Sequence, residues 1–185
     1  MQKTLVIVKP HAVIRGLTGE IISRFERMGL KILAIKVVHE PREFWNEFYP
    51  SDDTWFKSVG TKTLENCKAF GIDVAKRLGT DDAGKIGLMV KGWLLDHMAS
   101  GSAVAMVLGG NEALTKVRTA CGATLPNRAV PGTIRFELST DSPTLANEEK
   151  RPVYNIVHAS DPEEMRDGVS AFDYEIKLIF PDLTA

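Results

Sequence analysis

The chain has little cysteine, no excess of charge of either sign and no long apolar run, and each shortage removes a class of function. Its two cysteines, Cys67 and Cys121, stand far apart in neither a metal-binding nor a redox spacing, a usage that fits a reducing compartment. Lysine plus arginine and aspartate plus glutamate nearly cancel, 23 against 24, for a formal net charge of -1 and a pI ≈ 6.4. Nucleic acid is therefore not an expected partner: there is no basic stripe and no aromatic platform, and any phosphate site must be local. No apolar run approaches the roughly 20 residues of a membrane span. Lys3, Lys9 and His11 interrupt the N-terminus where a secretory signal would be apolar, so the expectation is a soluble, cytoplasmic protein without a membrane partner. The 4 histidines, His11, His39, His97 and His158, show no i, i+4 or Cys/His clustering, which argues against a zinc site. A Gly-x-x-x-x-Gly-Lys-(Ser/Thr) loop is also missing, which excludes a P-loop enzyme.

What is present suffices for one well-buried core. At 185 residues, 44% hydrophobic and without internal repeats, the chain reads as a single domain over 1–185. The pattern predicts a strand at about 4 to 9, a helix over 18 to 28, a strand over 30 to 38, a long helical region over 42 to 98, a strand over 103 to 108, a helix over 111 to 120, an irregular loop, a strand at about 154 to 158 and a terminal helix. Thr18 is placed to cap the first helix, Ile21, Ile22, Phe25 and Met28 form its apolar stripe, and Gly29 supplies a left-handed stop. Two strand-helix-strand passages in an α/β chain predict a ferredoxin-like split βαβ fold, an antiparallel four-stranded sheet with helices on one face. Within the helical region Pro50-Ser51-Asp52-Asp53 reads as a turn and cap. Leu64, Cys67, Gly71, Val74 and Leu78 then read as the stripe of one helix ended by Gly79. Residues Phe136 to Val153, polar and charged, read as a solvated surface loop.

The candidate chemistry lies at Asn155-Ile156-Val157-His158-Ala159-Ser160-Asp161. Tyr154 to Val157 has strand character, and Ser160 or Asp161 followed by Pro162, Glu163 and Glu164 reads as a helix start with cap, N1 proline and acidic first turn. His158 is thereby placed at a strand-to-helix junction, where N–H groups and the helix dipole favour an anion.

This segment resembles the Asn-x-x-His-(Gly/Ala)-Ser-Asp active-site signature of nucleoside diphosphate kinases, whose histidine takes a phosphoryl group from a nucleoside triphosphate and gives it to a diphosphate. The other segments that resemble the family follow its order: Thr4 to Pro10 with Arg15 to Gly29, Ser100-Gly101 with Val104 to Leu108, Val117-Arg118, Gly122-Ala123-Thr124, Pro131 to Arg135, and Glu175 to Phe180. The resemblance implies the same ferredoxin-like fold, nucleoside di- and triphosphates as substrates, ping-pong transfer through phospho-His158, and a homo-oligomer. It also implies two insertions, at about 50–97 and 137–153, the first read as a helical hairpin packed on the core.

Further roles carry over on the same basis. Glu175 falls where a family glutamate fixes the histidine's tautomer, although its spacing from His158 is longer; the loop after Asp161 must bulge for it to reach. A continuous helix from Pro162 would instead leave Glu164 as the substitute. Ser160 matches the hydroxyl beside the transferring phosphoryl group. Lys9, Arg118, Arg135 and Thr124 match phosphate contacts, and Asn155 matches a sugar and phosphate contact. Val90 falls at the family's base-stacking phenylalanine; it has no π-face, and Trp93, one turn on, is the candidate to stack in its place. Mg²⁺ is expected to arrive on the nucleotide phosphates, without protein metal ligands. Three positions depart from the family: His11 for the usual aspartate, Leu125 for asparagine, and Phe136-Glu137 for Gly-Asp. The alternative reading is a catalytically weak nucleotide-binding or scaffold protein on the same fold. Joint retention of Lys9, Arg118, Thr124, Arg135, Asn155 and His158 argues against it.

Overall fold

The computed structural model describes residues 1–161, 163–166 and 168–184. In chain order the elements are β1 (Gln2–Val8), α1 (Pro10–Ile14), α2 (Thr18–Arg27), β2 (Lys31–Val38), α3 (Arg42–Phe48), α4 (Asp53–Ala69), α5 (Val74–Leu78), α6 (Ala83–Ala99), β3 (Ala103–Gly110) and α7 (Ala113–Cys121). There follow α8 (Ile134–Leu138), α9 (Pro143–Glu148), β4 (Val157–Ala159), β5 (Met165–Arg166), β6 (Val169–Ser170) and α10 (Ala171–Ile179). Two compact units result, one of Met1–His39, Gly101–Thr140 and Asn155–Ala185, the other of Glu40–Ser100 and Asp141–Tyr154. Among the described residues no helix is long and apolar enough to cross a membrane.

The first unit holds a sheet of order β2-β3-β1-β4 with every pairing antiparallel, the ferredoxin-like arrangement that the two strand-helix-strand passages predict. β1 and β3 occupy the centre because their residues suit burial on both faces: Leu5 to Val8 and Ala103 to Leu108 are buried throughout, as continuous apolar runs require. β2 runs along one edge and exposes Ile35 and Val37. β4 lies along the other, pairing Val6 with Ala159, Ile7 with His158 and Val8 with Val157. Ile21 and Phe25 of α2 and Val117 and Cys121 of α7 pack with Val6, Val8, Met106 and Leu108, each fully buried large side chain contributing about 1.5–3 kcal/mol. Thr18 is not the cap of α2; Leu17 holds that position without a side-chain bond, and Met28 is exposed, while Gly29 takes the left-handed stop at φ 80.

The second unit breaks the long helical region into four. Asp52 accepts from the Trp55 N–H and starts α4, as the Pro50–Asp53 cluster predicts. The stripe from Leu64 to Leu78 is not one helix. Gly71 turns left-handed after α4, Asp73 caps α5 through the Lys76 N–H, and Gly79 ends it at φ 79. The apolar face survives the break, since Leu64, Val74 and Leu78 still converge on Cys67 and Ile86. The predicted surface loop over 136–153 is also corrected. It contains α9, capped by Ser142 with Pro143 at its first turn, and Asp141 is buried in a bidentate pair with Arg151 at 2.6 and 3.1 Å. That pair, with the Tyr154 N–H also donated to Asp141, holds the carboxyl below the usual carboxylate range, against the opposing effect of burial.

α4 and α6 approach backbone to backbone. A Cβ added at Gly60 would overlap the Ala83 carbonyl, and one at Gly87 the Phe56 carbonyl. Because backbone cannot yield as a side chain can, Gly87→Ala is expected to destabilise the protein by about 1–3 kcal/mol. Urea denaturation checks this; a midpoint equal to that of the unaltered protein would contradict the close crossing.

Candidate active site

The segment before His158 is not a strand from Tyr154 onward. Ile156 has φ 69, a conformation rare for a β-branched residue, and the Val157 N–H reaches back to the Asn155 carbonyl at 2.8 Å. This is a three-residue γ-turn, and it delays β4 until Val157. The helix start read at Ser160–Glu164 is likewise corrected. Pro162 lies outside the described residues, but Met165–Arg166 and Val169–Ser170 pair as a hairpin. The helix begins only at Ala171, where the Ser170 hydroxyl accepts from the Asp173 N–H.

The hairpin supplies the bulge that the long spacing demands. On α10, Glu175 places Oε1 2.9 Å from His158 Nε2, while the Ser160 hydroxyl donates to the same carboxylate. Glu175 is buried, whereas the His158 ring keeps 18% of its surface exposed. A carboxylate accepts and does not donate, so the Nε2 side carries the imidazole proton and the basic lone pair sits on Nδ1. Ser160, expected to touch the phosphoryl group, is fully buried with its hydroxyl on Glu175. Glu164 lies near enough to feel the charges of both Glu175 and His158. Burial, and then the charge of Glu175, push its carboxyl above the usual range, with His158 opposing.

Lys9 follows the last residue of β1 and is 6% exposed; its Nζ donates to Asn155 Oδ1 at 2.7 Å. Asn155 in turn donates Nδ2 to the Thr124 carbonyl at 2.9 Å, which ties the loop after α7 to the γ-turn. Arg118 on α7 donates to the Ala159 carbonyl at 3.2 Å and pairs with Asp161 at 3.1 Å, both side chains being about one-third exposed. Arg135 differs in kind. At 4% exposure, it donates to the carbonyls of Gly122, Asn155 and Val157 at 2.7, 3.2 and 2.9 Å, so its fork clamps backbone on both sides of the turn. Thr124 is exposed. Val90 and Trp93 belong to α6 in the second unit, both partly buried, with Val90 packed against the cluster of Cys67, Val74 and Ile86.

Of the residues singled out in the sequence, His158, Glu175 and Ser160 meet in one cluster and Lys9 meets Asn155 beside it, whereas two partners carry little signal in the sequence. Asp161 reads as a cap and as the end of the signature, and its pairing with Arg118 has no local signal because 43 residues separate them. His11 stood out only as a departure, and its Nε2 accepts the Ile156 N–H at 3.1 Å. Among the described residues no group of three or more His, Cys, Asp or Glu side chains could hold a metal ion. The basic side chains of Lys9 and Arg118 suit an anion.

Burial, and secondarily the charge of Arg135, lower the Lys9 ammonium from 10.5 to about 7. The unfolded chain therefore binds more protons than the folded one between pH 7 and 10.5, and stability rises with pH across that window. The burial penalty is fully present below about pH 7 and relieved as pH approaches 10.5. Lys9→Met, which buries no charge, is expected to flatten this rise by a few kcal/mol, on the order set by linkage. Denaturant midpoints of both proteins at pH 6 and pH 9.5 test it, and parallel curves would contradict it.

The family model for nucleoside diphosphate kinase matches residues 2–61 and 91–184. The chain is 52% identical over 161 residues to the nucleoside diphosphate kinase of Pyrobaculum aerophilum, covering 87% of this chain and 88% of that protein. It is 36% identical over 181 residues to that of Staphylothermus marinus, covering 98% and 94%. Among solved structures it is similar to a Pyrobaculum aerophilum NDP kinase, with a TM-score of 0.88 at 47% identity, covering 97% of this chain and 95% of that one. It is also similar to the Borrelia burgdorferi nucleoside-diphosphate kinase solved as a transition state mimic with bound vanadate and ADP, with a TM-score of 0.67 at 31% identity, covering 98% and 88%.

Proposed function

The chain belongs to the nucleoside diphosphate kinase family, and from that premise we propose that it moves the γ-phosphoryl group of a nucleoside triphosphate to a nucleoside diphosphate through phospho-His158. The observation that carries this reading is the His158–Glu175 bond at 2.9 Å. It holds the proton on Nε2 and aims a basic Nδ1 at the γ-phosphorus. Nδ1 forms the N–P bond as the β,γ-bridging P–O bond breaks, and the nucleoside diphosphate leaves with the electron pair. The second half-reaction reverses these bonds onto a different diphosphate. The incipient charge on Nε2–H is stabilised by Glu175, which Ser160 keeps oriented.

Phosphoryl transfer asks the protein for positioning and positive charge. Lys9 and Arg118 supply the mobile-charge contacts, Asn155 and Thr124 add hydrogen-bonding groups, and Arg135 acts chiefly by fixing the backbone on which Asn155 and His158 stand. Mg²⁺ would be carried in on the nucleotide phosphates, held there with little protein help, and would supply positive charge to the diphosphate, while Lys9 and Arg118 supply it from the protein. A homo-oligomer is supported by the apolar Ile35 and Val37 on the outer strand β2, and a cytoplasmic setting by the free, buried thiols of Cys67 and Cys121.

Incubation with γ-labelled ATP and no acceptor should place acid-labile, alkali-stable label on the protein, and a nucleoside diphosphate should remove it. His158→Ala is expected to abolish both labelling and transfer with folding intact. Sequential kinetics without a labelled protein would overturn the ping-pong route. For the base, Trp93 remains the proposed aromatic contact, since Val90 is engaged with the second unit's own apolar cluster. Trp93→Ala should weaken purine and pyrimidine nucleotides alike by roughly 1 to 3 kcal/mol, the usual worth of one stacked base; unchanged affinity for both, measured by calorimetry, would remove Trp93 from the site.

A further inference from the structure

We infer that His11 is a positioning residue, which acts through the acceptor nitrogen Nε2 to hold the γ-turn on which Asn155 and His158 stand. The turn is strained at Ile156, whose φ of 69 is unfavourable for a β-branched residue. Its side chain is fully buried with Val6, Val8 and Ala159, so the residue cannot relax by swinging outward. Such strain persists only where surrounding groups determine the conformation. Here the Ile156 carbonyl accepts from the Lys9 N–H at 3.0 Å, and its N–H is donated to His11 Nε2 at 3.1 Å. Arg135 fixes the carbonyls on either side. Of these clamps, His11 alone offers a side-chain acceptor to the strained residue's own N–H.

That role dictates a protonation state. An imidazole accepts only at an unprotonated nitrogen, so His11 must be neutral with its proton on Nδ1; protonating Nε2 would set N–H against N–H. The consequence reaches both sides of the turn. Asn155 meets Lys9 Nζ on one side, and two residues on, His158 meets Glu175. With the N–H unpaired in a buried site, the turn loses about the worth of one buried hydrogen bond while its strain remains, and both groups shift together. Since a misplacement of about 1 Å at a reacting group can cost about 10²-fold in rate, His11 sets the geometry of the nucleophile without touching the phosphate.

This inference rests on His158 as the phosphoryl acceptor, and the test separates the two. Whether the unaltered protein takes up label at all tests His158; the ratio of labelling rates among His11 variants tests His11. Glutamine carries Oε1 the same number of bonds from Cα as histidine Nε2, so His11→Gln keeps the acceptor, whereas His11→Leu keeps volume and loses it. Single-turnover labelling at saturating ATP, well below each variant's melting midpoint, should be slowed about tenfold to a hundredfold in His11→Leu and restored to within about threefold by His11→Gln. A wild-type rate in folded His11→Leu, or an equally slow His11→Gln, overturns the inference. Should His11→Leu not fold, ¹⁵N spectra of histidine-labelled wild-type protein decide alone. The His11 signals, assigned by their loss in His11→Gln, should show an unprotonated Nε2 at neutral pH, and a protonated Nε2 overturns the inference whatever the variants do.

Discussion

Glu175 is a carboxylate taken almost wholly out of water, and the arrangement around His158 depends on how that burial is compensated. An isolated buried carboxylate would cost several kcal/mol, so both of its oxygens need donors. His158 and Ser160 provide them, and their own places are set by β4, whose three residues pair with Val6 to Val8 of β1. The carboxylate thus demands the same geometry that the sheet provides. α10 follows from this as well, because only a helix starting after the β5–β6 hairpin brings Glu175 back over β4. The hairpin is the physical solution to a long chain between two groups that must touch.

Much of this was legible in the sequence wherever residue type and short-range period agree. The buried runs of β1 and β3, the stripe of α2 with its Gly29 stop, and the Asp52 cap are local signals that tertiary structure did not override. The resemblance added Glu175, and the residue spacing alone required the bulge that the hairpin provides. The failures share a cause. Tyr154 to Val157 has strand chemistry, but the backbone of Ile156 answers to His11 and Lys9, about 145 residues away. The stripe from Leu64 to Leu78 is real as an apolar face, yet Gly71 and Asp73 broke the helix beneath it. The charged stretch after Phe136 looked solvated because nothing local revealed that Arg151, half-buried, would pair with a buried Asp141.

Arginine and lysine divide the labour around the turn according to their chemistry. Arg135 has a planar fork of five donors and satisfies three carbonyls from separate segments, work for which a point-like ammonium is unsuited. Lys9, whose charge is easily lost on burial, faces the one side-chain oxygen of Asn155. Two buried cations would repel if both stayed charged, and the lowering of Lys9 toward neutrality by burial and by Arg135 relieves that conflict. The second unit, by contrast, relies on close contact at Gly60 and Gly87 and on the Asp141–Arg151 pair.

The strand order has a consequence for how the chain is made. Within the four-stranded sheet β1 is made before β3, and β4 after both, so β1 gains its β3 neighbour long before its β4 neighbour. Until residues 157–159 arrive, the β4 side of the apolar Val6–Val8 stretch is an open sheet edge, the kind of surface on which nascent chains associate with one another. Lys9 and His11, already synthesised, likewise wait for the turn at Ile156. The nucleophile is born with the segment that closes that edge, so a chain interrupted before residue 157 carries an adhesive edge and no His158.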